Sequence, residues 1–333
     1  MHIEGDFQRD GFVVIRSLFG CDWVRRMLPI LDELRTKHAQ FNPESGQPAK
    51  NFTSFFHVNS PQYFPVGSPQ LCELLEAAAS ENVARVFRLG CGTEPLFSHM
   101  SAWYEPETTT PGGGWHRDMQ YVFPEEEEEK QRVGSGSGYG GEPVARGKFS
   151  GVQIQCACLA DSRHIEYVPG SHARWDTAAE YQVRKVDSFS HRFEDMPGAV
   201  RPVLGPGDAI AFTDGLHRGH YDASVPRRTL MFTLSNGPRA RGLDYFSFQP
   251  YFLQPEYVSG LSSRALQFYR RYLGTYGKEM AEVAEMLAAH PQGLSAAIGE
   301  LRTASISLPE AARKWHREFT GQGGGGAGPS PKL

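Results

Sequence analysis

The sequence predicts a mostly β core with flanking helices, an α+β fold whose strands form a sandwich or jelly roll. Two observations support this prediction. Short runs of β-forming residues, separated by Gly, Pro, Asp and Asn, follow one another between residues 95 and 236, as they do in sandwiches and jelly rolls. Helix-forming segments lie before and after this region, which places helices on either side of the β core.

The N-terminal part, residues 1–90, is predicted to be helical. Apolar residues recur at helical spacing over residues 21–38, which indicates an amphipathic helix, and Pro29 inside it is expected to introduce a kink. A Ser-Pro pair at residues 68–69 is typical of a helix start. The helix-forming composition that follows predicts one helix that continues to about residue 88.

The strands of the core are predicted from five short segments that are bounded by turn-forming residues. The second segment contains Cys156 and Cys158, which are interpreted as small buried residues on one face of a strand. After residue 262 the sequence predicts a helical C-terminal part over residues 262–320, followed by a flexible tail over residues 321–333. In chain order the five segments are LFSHMSAWY, GVQIQCACLA, IEYVPGS, DAIAFTD and RTLMFTLS.

The segment 124–147, PEEEEEKQRVGSGSGYGGEPVARG, interrupts this series of strands. It is acidic at first and then rich in Gly and Ser, with no apolar period, which predicts a solvated, mobile insertion. A second interpretation is compatible with the first. Because the segment closely follows His116 and Asp118, it would serve as a lid over a site.

The composition limits the classes of function that are open to the chain. Its 333 residues are 40% hydrophobic and 22% charged, which is typical of a globular protein, and we predict a single domain over residues 1–320. A net charge of −4 with no basic stripe argues against nucleic acid as a partner. The sequence has no run of about 18 apolar residues, which argues against a membrane span. Five scattered cysteines indicate a reducing compartment, so we expect a cytoplasmic protein.

The stretch GGGWHRDMQYVF places His116 and Asp118 two residues apart, directly after glycines 112–114. If the chain is extended there, both side chains lie on one face and can bind one transition-metal ion through nitrogen and oxygen. The glycines would let the chain turn sharply before the pair. Such a pair is common by chance, so a third ligand must come from a distant strand. His217 follows a strand-like run far along the chain and is the candidate.

Three pieces of the sequence, in this order, resemble the phytanoyl-CoA dioxygenase-like family of non-haem iron(II), 2-oxoglutarate-dependent oxygenases. They are WHRD, YVPGSHARW and GDAIAFTDGLHRGHYDASVPRRTL, and together they cover roughly residues 95–236. The resemblance implies a double-stranded β-helix, a cupin-like jelly roll in which two sheets face each other over the metal. The connection ADSRHI before EYVPGSH is shorter than in many relatives, so the rim of the pocket is expected to differ.

Carried over to this chain, the resemblance implies that His116, Asp118 and His217 are the catalytic iron(II) ligands. Two histidines and one carboxylate leave three open positions, which is the arrangement of iron(II) oxygenases. The family pattern H-x-x-x-x-[ND]-x-S favours His217 as the distal histidine, with His220 as the alternative. Halogenating relatives lack the carboxylate, so Asp118 implies hydroxylation or another oxidation.

The resemblance also implies an arginine that binds the distal carboxylate of 2-oxoglutarate, about ten or eleven residues after the distal histidine. Arg227 and Arg228 both satisfy this count. Strand alternation puts Arg227 on one face with small and polar residues and Arg228 on the other with apolar ones. Because a polar face suits a ligand cavity, Arg227 is the preferred anchor and Arg228 the alternative. For either residue, a surface salt bridge is the simpler explanation.

Polar residues on two further strands are implied to hold 2-oxoglutarate, here His99, Ser101 and Gln155. Each could instead be a buried polar group whose hydrogen bonds are satisfied within the fold. His172 of the PGSH segment is interpreted as part of a structural turn and not as a metal ligand.

Three residues near the expected mouth of the pocket are candidates for substrate binding, namely Trp115, Arg174 and Trp175. An aromatic side chain together with an arginine would suit a planar or acidic substrate. Packing is the alternative role for both tryptophans.

The activity implied by the resemblance is an oxygenase that uses Fe(II), 2-oxoglutarate and O2. It would hydroxylate or otherwise oxidise an unactivated C–H of a small molecule and release succinate and CO2, as a monomer or small homo-oligomer. One alternative is a cupin-like metal enzyme that does not use 2-oxoglutarate, such as a hydrolase or isomerase. Another is a jelly-roll binding or structural protein. The sequence does not select a substrate.

Overall fold

A large antiparallel sheet forms the centre of the protein. The computed structural model describes residues 1–41, 53–105, 114–121, 125–133, 148–186, 195–220, 222, 225–238 and 247–289. Within this part, seven strands pair in the order β1-β2-β7-β5-β9-β4-β3. Their bounds are His2–Glu4 (β1), Phe12–Arg16 (β2), Thr53–Phe56 (β3), Leu96–Glu105 (β4), Gly151–Ala157 (β5), Ala209–Phe212 (β7) and Arg227–Ser235 (β9).

A second, two-stranded sheet faces the first. It consists of β6 (Glu166–Tyr167) and β8 (Arg218–Gly219), which pair in antiparallel fashion, and a bridge joins β8 to His116. The ring of Tyr167 packs on that of Phe212 in β7, with 5.6 Å between the centroids. The smaller sheet therefore covers one face of the larger one, and the space between them is where the predicted site residues must meet.

The two faces of the large sheet differ in polarity because successive residues of a strand point to opposite sides. On β9, Leu230, Phe232 and Leu234 belong to the main apolar core and lie on the side of the helices. On the other side, Thr229 and Thr233 are buried between the sheets. Burial of the apolar face supplies most of the stability, while the polar face is available for binding.

Helices cover the apolar face. The helix over Cys21–Phe41 contains Pro29, as predicted, and begins the series that packs on the sheet. Four predicted segments, LFSHMSAWY, GVQIQCACLA, DAIAFTD and RTLMFTLS, are confirmed as strands of the large sheet, and the observed ends differ from the predicted ones by up to three residues. The helices are Phe7–Asp10 (α1), Cys21–Phe41 (α2), Pro69–Ala78 (α3), Glu81–Cys91 (α4), Glu126–Arg132 (α5), Ala178–Tyr181 (α6) and Ser263–Ala289 (α7).

The prediction of a helical N-terminal part was wrong in two respects. β1, β2 and β3 belong to the large sheet, and the run FVVIR of β2 is buried between β1 and β7. The single helix predicted to residue 88 is two helices, because Ser80 caps a new one and accepts a hydrogen bond from the amide of Val83. A short run of four apolar residues forms a buried strand as readily as a helical turn. The local pattern therefore did not distinguish β2 from a helix.

The acidic segment after the site is partly ordered into the fold. Residues 126–132 form α5, most of which is exposed or half-buried while Glu129 is fully buried, so this portion is a solvated helix of which one residue is buried in the fold. Residues 134–147 and the tail 321–333 lie outside the described part of the chain. Among the helices that the structure describes, none is long and apolar enough to cross a membrane.

Candidate functional site

His116 and Asp118 lie together between the two sheets, as their spacing predicts. His116 precedes a short 3-10 turn that begins at Asp118, and its Nε2 is 3.5 Å from Asp118 Oδ1. The two side chains are only 10% and 9% exposed. Two atoms that each lie about 2.1 Å from one metal ion are separated by roughly this distance, so the pair is spaced to share an ion.

The protonation states of the pair suit metal binding. Burial and the guanidinium of Arg218 lower the pKa of His116. Although burial opposes it, Arg218 together with His116 holds the pKa of Asp118 well below its usual range. His116 Nδ1 is 2.6 Å from the carbonyl oxygen of Gly114, which places the ring proton there. The lone pair of Nε2 then faces an ionised carboxylate, and both groups are in the state that a metal requires.

Arg218 is the residue that opposes His116 on β8. The two residues form an antiparallel bridge, with both N···O distances at 3.0 Å. The Arg218 guanidinium donates to Asp118 Oδ1 and lies over the ring of Phe212, 5.0 Å from its centroid. A buried cation therefore neutralises the carboxylate of the predicted metal pair.

His217 is not brought to His116 and Asp118 in this structure. It directly precedes Arg218, so its side chain points to the other side of the strand. There its Nε2 lies 2.8 Å from Asp176 Oδ1, and its Nδ1 has no hydrogen-bond partner among the described residues. The backbone N–H of His217 donates a hydrogen bond to Ser171 Oγ at 2.9 Å. The described residues contain no group of three or more His, Cys, Asp or Glu side chains arranged to hold a metal ion.

A buried cluster of charges holds His217 on its side of β8. Asp176 accepts hydrogen bonds from Arg117 Nη2 and Arg184 Nε, both at 2.7 Å. Arg184 also reaches Glu129 of α5 at 2.8 Å, and the four side chains are fully buried. The cluster therefore links three distant segments of the chain to His217.

Arg227 lies between the sheets, and Arg228 lies on the opposite face of β9. The Arg227 guanidinium is buried, donates to Gln155 Oε1 at 3.2 Å and to Thr229 Oγ1 at 3.3 Å, and stacks over Trp103. Arg228 instead lies 3.2 Å above the ring of Tyr104 on the helix side. Strand alternation thus places Arg227 where an anchor for a ligand would be needed.

A small cavity opens beside Arg227. Its lining combines apolar side chains of both sheets with a few polar ones from β5, β9 and the connection before β6. The predicted residue Gln155 lines it, whereas His99 and Ser101 of β4 are buried farther along the same face. His99 Nε2 is 3.3 Å from Thr233 Oγ1. The lining residues are Gln155, Ala157, Ser162, His164, Ile165, Tyr167, Pro202, Leu204, Ile210, Arg227 and Thr229.

The three predicted substrate residues do not line this cavity. Trp115 is 3% exposed and packs in an apolar cluster with Val168 and Val183. Arg174 pairs with Glu180 at 2.6 and 2.7 Å. The remaining residue, Trp175, lies among the cationic groups of the buried cluster. The structure therefore gives all three residues contacts within the protein.

Two further predicted histidines have partners outside the site. His172 Nε2 lies 3.1 Å from the carbonyl oxygen of Gln8, consistent with its structural interpretation. His220 Nδ1 lies 3.2 Å from Glu166 Oε2, and His220 is not among the residues that line the cavity. Neither is near enough to Asp118 to be grouped with it among the described residues.

Sequence reasoning missed four residues of the site, namely Gln153, Asp176, His164 and Arg218. Gln153 donates to both Asp118 Oδ2 and Asp214 Oδ1, and strand alternation already placed it on one face with Gln155. Asp176 and His164 gave no signal, because they lie in irregular connections whose path the sequence does not define. Arg218 adjoins the predicted ligand His217, but an arginine is not a metal ligand, so the ligand pattern gave no reason to select it.

Stability should decrease as the pH falls through the range below neutrality. Burial lowers the pKa of both His164 and His217 to about 3, whereas an unfolded histidine titrates near 6.5. The unfolded state therefore binds more protons between these values, so the free energy of unfolding is expected to fall as the pH drops from about 6.5. Urea unfolding at pH 7.5, 6.5, 5.5 and 5.0 measures this, and a flat profile would contradict it.

No protein-family model matches the chain, and no curated protein matches it in sequence. Solved structures similar to it include the epimerase SnoN from nogalamycin biosynthesis, described as non-heme and alpha ketoglutarate dependent (14% identity, 71% of this chain and 82% of that chain, TM-score 0.45).

Two further similar structures are known with bound ligands. EctD from S. alaskensis was crystallised with 2-oxoglutarate and 5-hydroxyectoine (19% identity, 71% and 75% coverage, TM-score 0.44). HygX from Streptomyces hygroscopicus was crystallised with nickel and 2-oxoglutarate (15% identity, 69% and 84% coverage, TM-score 0.45). Because each TM-score is below 0.5, we draw the function from this chain's own residues.

Proposed function

We propose that the protein is an iron(II)- and 2-oxoglutarate-dependent oxygenase of the phytanoyl-CoA dioxygenase-like type, built on a double-stranded β-helix. The observation that carries this proposal is one line of buried polar contacts between the sheets. It runs from Asp118 to Gln153, along β5 to Gln155, and from there to Arg227. The possible metal ligands His116 and Asp118 lie at one end of this line, and the buried guanidinium of Arg227 lies at the other.

The length of this line suits a short dicarboxylate. Gln153 and Gln155 are two residues apart on one face of β5, a span of about 7 Å, and each makes a hydrogen bond at its own end of the line. A 2-oxo acid that lies along β5 would place its oxo end near Asp118 and its distal carboxylate at Arg227. A guanidinium suits that carboxylate because it presents a planar, bidentate set of donors.

His116, Asp118 and His217 are the residues that would hold the metal. His116 and Asp118 fit a divalent cation in spacing and protonation, and the buried Nδ1 of His217 is a further nitrogen donor, although on the other side of β8 in the described arrangement. Bound iron would supply the activation of O2 that couples oxidative decarboxylation of the 2-oxo acid to oxidation of the substrate.

The surrounding residues of the chain orient and shield this site. Gln153 and Arg218 fix the two carboxylate oxygens of Asp118, and the Gly114 carbonyl fixes the ring of His116. Such outer contacts set the orientation and basicity of ligands. Burial of the whole line between two sheets excludes water from the reacting groups. The substrate is a small molecule under this proposal.

Arg218 favours a second candidate, a jelly-roll protein that binds an acid without a metal. Its guanidinium already neutralises Asp118, which disfavours a divalent cation at the same place. The two candidates differ in their need for iron. The second predicts that the purified protein binds no iron(II) and still binds 2-oxoglutarate.

Anaerobic titration tests the proposed function. Iron(II) is added to the protein in the presence of 2-oxoglutarate, and the visible spectrum is recorded. We expect a weak charge-transfer band, which requires the acid to chelate bound iron. Two results together would favour the metal-free candidate. The first is that no band appears although 2-oxoglutarate is present at a saturating concentration. The second is that the wild-type protein binds iron(II) no more tightly than a His116→Ala variant.

The two neighbouring arginines provide a matched pair of variants. Arg227→Leu should weaken 2-oxoglutarate binding about hundredfold, because it removes charge-assisted hydrogen bonds inside a buried cavity. Arg228→Leu should leave affinity within about threefold, because Arg228 lies on the opposite face of β9 against Tyr104. Isothermal titration calorimetry measures both. A larger loss for Arg228→Leu than for Arg227→Leu would reverse the assignment.

A further inference from the structure

One oxygen of Asp118 faces both its partner in the predicted metal pair and a fixed cation. Oδ1 lies 3.5 Å from His116 Nε2 and accepts a hydrogen bond from Arg218 Nη2 at 2.5 Å. The other oxygen, Oδ2, accepts a hydrogen bond from Gln153 Nε2. A metal ion shared by His116 and Asp118 would therefore bind at the oxygen on which the guanidinium already lies.

The fold holds Arg218 in this position. Arg218 and His116 form an antiparallel bridge, in which the amide N–H of each residue donates to the carbonyl oxygen of the other at 3.0 Å. Side chains that are directly opposite in such a pair lie on the same face. The guanidinium also lies over the ring of Phe212, 5.0 Å from its centroid, and the side chain is only 7% exposed. The cation is therefore fixed beside Asp118.

Arg218 has two opposing effects on a metal ion at this carboxylate. A hydrogen bond that orients a metal ligand usually raises metal affinity, by about ten- to hundredfold. A positive charge at this distance lowers the affinity of a carboxylate for a proton by about ten- to thousandfold, and its repulsion of a divalent ion is larger because it grows with the charge. Without Arg218, Gln153 still orients the carboxylate through Oδ2. The repulsion should therefore dominate.

We infer that Arg218 sets the metal affinity of the site, because its guanidinium competes with a divalent cation for Oδ1 of Asp118. In the metal-free protein the guanidinium supplies the counter-charge that a buried carboxylate needs. Metal binding is then weakened by the free energy that is required to break this ion pair. The inference rests on the proposed function only for the identity of the metal as iron(II).

Loss of the Arg218 charge should have two linked effects. Gln153 Nε2 donates to the carboxylates of both Asp118 and Asp214, and both are buried. A divalent cation next to His116 would then meet buried negative charge without the guanidinium at the same oxygen, so it should bind more tightly. The metal-free protein should become less stable, because a buried carboxylate without a counter-charge is costly.

Anaerobic titration of the full-length protein with iron(II) alone tests the competition. Calorimetry gives the affinity in the absence of 2-oxoglutarate, and urea unfolding in the presence of a metal chelator gives the stability of the metal-free protein. The variants are Arg218→Gln, which removes the charge, and Arg218→Lys, which keeps it. Arg25→Gln is the control for the loss of a positive charge, because the Arg25 side chain is 76% exposed.

We expect Arg218→Gln to bind iron(II) about hundredfold more tightly than wild type and to unfold at a lower urea concentration when the chelator is present. Arg218→Lys should stay within about fivefold of wild type, because it keeps the charge. Arg25→Gln should stay within about twofold, because solvent and salt screen an exposed charge. Poor folding does not produce a gain in affinity. If Arg218→Gln folds only with metal, the iron(II) concentration at the midpoint of folding gives its affinity.

An iron(II) affinity of Arg218→Gln that is equal to or below that of wild type would overturn the inference. An equal gain in Arg218→Lys would also overturn it, since the charge would then not be the cause. The two proposals fail separately. A gain in Arg218→Gln, with no visible band when 2-oxoglutarate is added to either protein, would reject the oxygenase and keep the competition. A band in wild type without a gain in Arg218→Gln would do the reverse.

Discussion

The variant Asp118→Asn is expected to lower the iron(II) affinity of the protein roughly hundredfold and to abolish the spectral band with 2-oxoglutarate. The substitution preserves shape but removes the charge that a divalent cation requires. Calorimetric titration of iron(II) under anaerobic conditions measures the affinity. Asp22→Asn is the matched control, because Asp22 is an exposed residue of α2 that pairs with the exposed side chain of Arg25.

Loss of folding must be separated from loss of the ligand in this variant. Asp118→Asn leaves the buried guanidinium of Arg218 without its carboxylate, which is itself destabilising. The double variant Asp118→Asn, Arg218→Gln removes both charges and should recover stability but not iron affinity. Iron affinity equal to wild type in the folded double variant would show that Asp118 is no ligand.

The largest effect on stability is expected from Asp176→Asn. This change leaves the buried guanidiniums of Arg117 and Arg184 without the carboxylate that they share, and breaking a buried ion pair typically costs about 3–5 kcal/mol. Urea unfolding at pH 7 measures the free energy of unfolding. Asp176 is ionised at this pH because, against the effect of burial, His217 and the arginines hold its pKa well below its usual range.

Two further variants check the cause of that loss. Asp22→Asn breaks an exposed pair and should change the free energy of unfolding by no more than about 0.5 kcal/mol. Asp176→Asn combined with Arg117→Met removes one buried cation as well, so part of the stability should return. A loss below about 1 kcal/mol in Asp176→Asn would mean that the cluster is not the structural element that its burial indicates.

The sequence predicted the β core better than the N-terminal region for a physical reason. The core strands alternate or run apolar between clear turn residues, so their positions follow from local chemistry. β2 carries a short apolar run between polar neighbours, and it becomes a strand only because β1 and β7 lie on either side of it. Pairing between distant segments is not visible in local composition.

In the candidate site, too, the sequence predicts side-chain directions only where the pairing of a strand is defined. Alternation correctly separated Arg227 from Arg228, because both lie inside a long strand with many paired residues. It gave no register for β8, whose described part has two residues. A shift of one residue in pairing turns every side chain to the other face. The structure therefore presents Arg218 to His116, where the family resemblance implied His217.

The buried charge cluster also has a consequence for folding kinetics. Its ion pairs join residues that are far apart in the chain, at a sequence separation of 59 for Arg117 and Asp176 and of 55 for Glu129 and Arg184. Contacts across such separations form after local ones, and a charge enters this cluster only when its partners are already in place. We therefore expect it to assemble after the rate-limiting step, so that its loss speeds unfolding and leaves the folding rate nearly unchanged.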